Sequence, residues 1–249
     1  MPEYYSIHEE GYRKFREKGK FGWYSREAQA EHCAVYDEML KGKHIPRKGR
    51  LLEMGCGDGE KSMWFAGRGY RVTGVDLSPS AIDWAQDKAK ERKLDVTFLV
   101  DDVLELRTQE DATFDLVLDG HCLHCVVGDG RRMFLAAAMR VLKPGGFFRV
   151  ESMCQPLRDP EVNVKPPFAY DHALRRLFLN DDPYRHVGYP DGILGEIKQA
   201  GFRIVKYEEV EARPERDDEW TDGIRVDAVK PSPKPAPALA PAVDDKPVL

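Results

Sequence analysis

Residues 50–80 read RLLEMGCGDGEKSMWFAGRGYRVTGVDLSPS. RLLEM (50–54) is a short apolar run suited to a strand. Three glycines follow within five residues, and GEKSMWFAGRG then has a helical pattern, with Met63, Phe65 and Ala66 inward and a stop at Gly67 or Gly69. YRVTGVD (70–76) is apolar and β-branched, a second strand. Ser78 and Pro79 then open a helix as N-cap and first helical residue. A strand, a glycine turn, a helix and a second strand in about thirty residues form a βαβ unit, which requires a parallel sheet.

The same alternation continues outward. VTFLV (96–100), FDLVLD (114–119) and FFRVES (147–152) are further strands, and RRMFLAAAMRVL is a helix closed by KPGG. ILGEIKQAG is a helix, and FRIVKYEEV and GIRVDAV are two closing strands. The fold class is α/β, with a doubly wound sheet covered by helices on both faces. Residues 1–48 are helical and aromatic and form an N-terminal cap outside the alternation; residues 49–229 form the main domain. Within it, 153–190 is an irregular insertion rich in Pro, Arg and Tyr, and 230–249 is a Pro/Ala-rich tail expected to be disordered.

Composition narrows the function. With 38 Lys+Arg against 43 Asp+Glu the net charge is −5, against binding nucleic acid through bulk positive charge. No apolar run approaches a bilayer span, and the first residues are polar, so neither membrane insertion nor secretion is expected. Five cysteines, an odd number, fit reduced thiols and a cytoplasmic location.

In an open α/β sheet, ligands bind beyond the carboxyl ends of the strands. Gly55 allows the tight turn there, Gly57 a close backbone approach, and Gly59 close helix–strand packing. Glu53, Asp58, Glu60, Asp76, Asp101, Asp102 and Asp119 all map to this end. Asp58 and Glu60 stand where a pyrophosphate would sit, and the third glycine comes one position earlier than G-x-G-x-x-G requires, which disfavours a dinucleotide. Carboxylates suit a cationic ligand without phosphate. Asp76 closes its strand 21 positions after Gly55, where an acid accepts from ribose hydroxyls. Asp102, or Asp101 beside it, would accept from an adenine amine with Val103 against the ring. Cys56 and Leu77 belong to the same binding set.

These segments resemble the class I S-adenosylmethionine-dependent methyltransferases. LLEMGCGDG is similar to the first family motif, GVDLS to the second and LVDDV to the adenine-side motif; FDLVLDGHCLHCV and RVLKPGGFFRVES follow in family order. The resemblance is ordered from about residue 48 to 152 and weaker to 229. It implies S-adenosyl-L-methionine as cofactor, and a Rossmann-like seven-stranded sheet, mostly parallel with its last strand antiparallel. It places Glu53, Gly55, Gly57 and Asp76 on the methionine and ribose, and Asp102 on the adenine. Residues 1–48 and 153–190 fall where such families carry substrate-specific caps.

A sulfonium is already activated, so the protein's main task is to align an acceptor and exclude water. Candidate catalytic residues are His121, His124 and Asp119, the last also placed to hold an ammonium. His121 departs from the small or apolar residues common at its position in the family. Tyr4, Tyr5, Trp23 and Tyr24 are candidate lid residues, with Phe21 a more ordinary packing residue. In the insertion, Arg158, Tyr170, Arg175 and Tyr184 are candidates to hold a substrate carboxylate. Cys122 and Cys125 form one C-x-x-C without a second pair, so no metal is expected. The expected partner is a small-molecule acceptor, acting on a monomer or homodimer. The alternatives are an intramolecular cyclisation or lyase reaction that releases methylthioadenosine, methyl transfer to a metal- or metalloid-bound thiol, and a non-catalytic binding module.

Overall fold

A computed structural model describes residues 6–157, 167–212 and 221–233. The glycine-rich segment lies at the centre. β1 (Arg50–Met54) pairs in parallel with β2 (Arg71–Asp76) on one side and β4 (Phe114–Asp119) on the other. β3 (Val96–Val100) flanks β2, while β5 (Leu142–Leu157), β10 (Thr221–Val229) and β9 (Arg203–Val210) extend the other edge. The order β3-β2-β1-β4-β5-β10-β9 gives seven strands, with β10 antiparallel to both neighbours. The seven-stranded, mostly parallel sheet expected from the sequence is therefore present.

Both faces of the central strands β1 and β4 are buried, so these read as continuous apolar runs rather than alternating ones. Leu52, Met54, Val75, Val117 and Phe148 join one core with α5 (Gly130–Val141) and α6 (Pro190–Gln199). Leu51, Val72, Leu116, Leu118 and Phe147 join the opposite core. There they meet Phe65 of α3 (Glu60–Ala66) and Tyr36 of α2 (Arg26–Met39). The second N-terminal helix is thus part of the sheet's covering layer. Ser78 caps α4 (Pro79–Glu91) by accepting from the Ala81 N–H at 3.0 Å.

Two expectations need correction. KPGG does not interrupt the chain between helix and strand: β5 begins at Leu142, and its pairing with β10 runs from Phe147 to Leu157. The 153–190 insertion is not irregular where it is described. It forms an antiparallel three-stranded sheet of β6 (Phe168–Asp171), β7 (Arg176–Leu179) and β8 (Asp182–His186), with Leu177 fully buried beneath it. The proposed tail falls largely outside the described residues. Among the described residues, no helix is long and apolar enough to cross a membrane.

Candidate active site

The chain leaves β1 for β2 on one side and later returns through β4 on the other, and this switch point opens a crevice at the strand ends. A cavity of about 140 Å³ occupies it, room for roughly ten waters. Its floor is the turn Gly55-Cys56-Gly57, with Glu53, Asp76, Leu77, Asp102 and Val103 beside it. Gly57 has φ +53°, and a Cβ there would stand 2.2 Å from the Tyr12 hydroxyl, so glycine lets Tyr12 lie directly against the turn. A Cβ on Gly59 would meet the Phe98 ring at 2.5 Å; its absence lets α3 start close against the sheet. Asp76 accepts from the Gly57 N–H and the Ser78 N–H, both at 2.9 Å, and so holds the turn while facing the cavity. Burial raises its carboxyl above the ordinary range, against those two bonds. Burial also lifts Glu53 to about 7, opposed by Lys61 and by the Ser62 hydroxyl, which donates to it at 2.6 Å.

The expected ring of carboxylates is smaller than the sequence suggested. Asp58 and Glu60 line the cavity, but their charges are matched: the Lys88 ammonium reaches Asp58 at 3.0 Å and Glu60 at 2.9 Å, and Arg92 forks onto Glu60 at 2.8 and 2.6 Å. Asp101 does not line the cavity. It accepts from the backbone of Asp102, Arg107 and Thr108 and shapes that loop. Asp119, expected to be catalytic or to hold an ammonium, is wholly buried behind the wall and accepts from the N–H groups of Cys122, Leu123 and Glu151. Both were misplaced because a strand-end acid serves loop amides as readily as a ligand. The cavity acids without an ion pair among the described residues are Glu9, Glu53, Asp76 and Asp102.

The N-terminal segment closes the crevice. α1 (Ser6–Glu17) lies across α4, and His8, Glu9 and Tyr12 line the cavity with Trp23 and Tyr24. Trp23 sits among His8, Tyr12 and Phe15, with centroids 5.7, 4.9 and 5.3 Å away. Glu9 latches the helix: it accepts from the Ser78 hydroxyl at 2.6 Å, from the Ser80 N–H at 3.2 Å and from the Ser80 hydroxyl. An anion is favourable there, at the positive end of α4. Glu9→Ala is expected to speed hydrogen exchange across α1 by roughly tenfold while β1 amides stay protected. Equal protection in both proteins would show that Glu9 is not a latch. His8, Glu9, Tyr12 and Lys61 were not singled out from the sequence. The spacing of His8, Tyr12 and Phe15 on one helix face was the available signal.

Beyond the turn, the wall carries a hydrogen-bonded chain. The Tyr24 hydroxyl donates to His121 Nδ1 at 3.1 Å, and His121 Nε2 donates to Glu151 at 2.6 Å. Glu151 accepts in turn from Arg149 at 3.2 Å, and Arg149 reaches Asp227 at 2.7 Å. The carboxylate places the proton on Nε2 and leaves Nδ1 as acceptor. Burial, with Lys61, holds His121 below its ordinary 6.5 despite Glu151. Burial pushes Glu151 up, but the bond and charge of His121 and the charge of Arg149 outweigh it and keep the carboxyl well below 4.5. His121 therefore has both nitrogens engaged and reaches an acceptor only through Tyr24. His124 lines the cavity, and its buried Nδ1 has no hydrogen-bond partner among the described residues. Cys56, Cys122 and Cys125 also line the cavity, their thiols pushed up by burial. No cluster of three or more metal-ligating side chains occurs among the described residues.

In the insertion, the expected substrate contacts are corrected. Tyr170 donates to the Val187 carbonyl at 2.9 Å, Arg175 lies over the Tyr189 ring, and Tyr184 lies under the Arg185 guanidinium; none of the three lines the cavity. The alternation of β8 sends Arg185 inward instead. Tyr4, Tyr5 and Arg158 lie outside the described residues.

Buried histidines near the site make the fold acid-sensitive. Burial lowers His8 and His32 to about 3, aided by Arg185 and by His121 respectively. Unfolded chains take up those protons below 6.5, which the folded chain resists, so stability falls as pH drops from 6.5 towards 3. Urea midpoints are expected to decline over this range, less steeply in His32→Gln; identical slopes would remove His32 from the account.

The comparisons with known proteins agree with this geometry. A methyltransferase domain model matches residues 51–146. The ubiquinone biosynthesis O-methyltransferase of Coxiella burnetii is 37% identical over 109 residues, 43% of this chain and 42% of that protein, so the chain spans under half the length of that relative. The 2-heptyl-1-hydroxyquinolin-4(1H)-one methyltransferase of Mycobacteroides abscessus is 29% identical over 170 residues, 62% of this chain and 71% of that protein. Among solved structures, the 1,6-didemethyltoxoflavin-N1-methyltransferase of Burkholderia thailandensis superposes with a TM-score of 0.64 at 23% identity, covering 93% of this chain and 91% of that one. The strand order, the glycine turn and its acid are thus in place in a chain whose residues 51–146 match a methyltransferase domain.

Proposed function

We propose that the chain transfers a methyl group from S-adenosyl-L-methionine to a small-molecule acceptor whose attacking atom first carries a proton. The observation that carries this reading is one cavity lined both by the glycine turn with Asp76 and by Tyr24 and His121, whose hydrogen-bonded chain continues to Glu151. The cofactor end fits the group on chemical grounds. Gly55 and Gly57 line the cavity without side chains, and Asp76 keeps lone pairs free beyond its two amide bonds. Asp76 would accept from the ribose hydroxyls, Asp102 would meet the adenine amine beside Val103, and Glu53 with Lys61 would hold the amino-acid end. When bound, the cofactor supplies a methyl carbon already activated by a sulfonium.

The remaining work belongs to the chain. Trp23 and Tyr12 present aromatic faces that stabilise a cation without attacking it. α1 excludes water from the crevice. The Tyr24 hydroxyl takes the acceptor proton as it passes its own to His121 Nδ1, and Glu151 stabilises the imidazolium that forms. His121 is neutral at pH 7, since its pKa lies below 6.5. Turnover should therefore rise with pH through a value below 6.5 and then level. Tyr24→Phe is expected to lower kcat by roughly 100-fold with cofactor affinity unchanged; wild-type kcat in that variant would exclude the relay.

Incubation with methyl-labelled cofactor and a metabolite extract tests the reaction class. Label in a small molecule, with S-adenosylhomocysteine released, supports methyl transfer. Release of methylthioadenosine with no labelled product would overturn it in favour of a lyase or cyclisation.

A further inference from the structure

Three arginines are buried among the described residues: Arg131, Arg149 and Arg185, at 3%, 5% and 7% exposure. Two of them follow the rule that buried charges are paired. Arg131 grips Glu196 through Nε and Nη2, and Arg149 lies between Glu151 and Asp227. Arg185 does not. Its Nη1 donates to the Tyr184 carbonyl at 2.8 Å and its Nη2 to His8 Nε2 at 3.1 Å, both neutral acceptors. It makes no ion pair with any described carboxylate, and it lines the cavity. A guanidinium cannot shed its proton to escape this cost.

The groups around it do not supply a counter-charge. His8 is held neutral by burial and by Arg185 itself, with a pKa of about 3, and His124 is likewise held well below 6.5. Burial keeps the Cys122 and Cys125 thiols protonated. The methyl donor does not require Arg185 either. It has one carboxylate, and a second buried cation, Lys61, lines the cavity at the start of α3 and acts on Glu53. Lys61 acts on Glu53 and also on His121 and His32, whereas Arg185 acts on His8, Tyr24, Cys125 and His124.

We propose that Arg185 is the anchor of the second substrate, and that this substrate is a small carboxylate seated against the guanidinium beside Tyr24. A planar carboxylate accepts the fork of a guanidinium in two parallel hydrogen bonds. Binding then supplies the counter-charge that Arg185 lacks, and it fixes the acceptor's reacting group near the Tyr24 hydroxyl. The assignment rests on the methyl-transfer reading only in calling this molecule the acceptor.

The test is calorimetry on the full chain saturated with S-adenosylhomocysteine, with benzoate and benzamide as a pair matched in shape and differing in charge. Benzoate is expected to bind at least ten times tighter than benzamide. Arg185→Gln should abolish that preference, Arg185→Lys should restore part of it, and both should keep S-adenosylhomocysteine affinity within threefold. Because it removes an uncompensated buried charge, Arg185→Gln should melt no lower than wild type without ligand. A benzoate preference that is absent, or that survives Arg185→Gln, overturns the proposal. So does a tenfold loss of S-adenosylhomocysteine affinity in Arg185→Gln, which would put the guanidinium on the donor. Failure of the wild-type protein to bind S-adenosylhomocysteine sinks the methyl-donor reading instead; a benzoate preference on the free protein would still support an anion site at Arg185.

Discussion

Asp76→Ala is expected to weaken cofactor binding by roughly 1.5–3 kcal/mol, the range for lost hydrogen bonds to a charged group. That is about 10- to 150-fold in Kd. The effect is large because Asp76 has two tasks. It closes β2 at the crevice, where its carboxylate would meet the ribose, and its two oxygens tie down the Gly57 and Ser78 amides. Removing it frees the glycine turn as well as the ligand contact. Asp76→Asn separates the two: the amide keeps one acceptor oxygen for the turn but loses the charge. A Kd loss in Asn close to that in Ala would assign the effect to charge-assisted ligand contacts. A Kd within twofold of wild type in Asp76→Ala would take Asp76 out of the site.

The second large effect concerns stability. Arg149→Ala should destabilise the fold by about 3–5 kcal/mol, because it strands two buried acids. Arg149 is 5% exposed and lies between Glu151 and Asp227 at 3.2 and 2.7 Å. For a chain of this size, that corresponds to a fall of roughly 6–20 °C in Tm. The exposed Arg13–Glu17 pair at 3.0 Å is the control; its loss should cost under about 1 kcal/mol. Arg149→Ala should also loosen Glu151, and with it the orientation of His121, so turnover in the surviving folded fraction should fall. A Tm shift no greater than that of Arg13→Ala would show that the buried chain is not a structural support.

The elements that were legible in the sequence are those decided by local chemistry. β1, β3 and β4 occur at the residues read from apolar runs, and α4 starts at the Ser78-Pro79 signal. Runs bounded by glycine or proline need no distant partner to be recognised. The small sheet was missed because strands of four or five residues, such as Phe168–Asp171, leave too short an alternation to separate from loop. Charge was legible in kind but not in direction. Asp58 and Glu60 were read as facing a ligand, yet Lys88 and Arg92, 30 and 32 residues further on, neutralise them. The two cations lie four apart, Lys88 in the last turn of α4 and Arg92 at its C-cap, and that spacing was the clue. Arg185 illustrates the same limit. Among the arginines of the insertion, only the register of β8 selects the one that enters the cavity.

The central claim is that this crevice holds an adenosyl sulfonium donor rather than a phosphorylated dinucleotide. Parallel calorimetric titrations of the full chain with S-adenosyl-L-methionine and with NADH test it most directly. The account predicts saturable heat with the first, lost in Asp76→Ala, and none with the second. Saturable binding of NADH, with no heat from S-adenosyl-L-methionine, would contradict it.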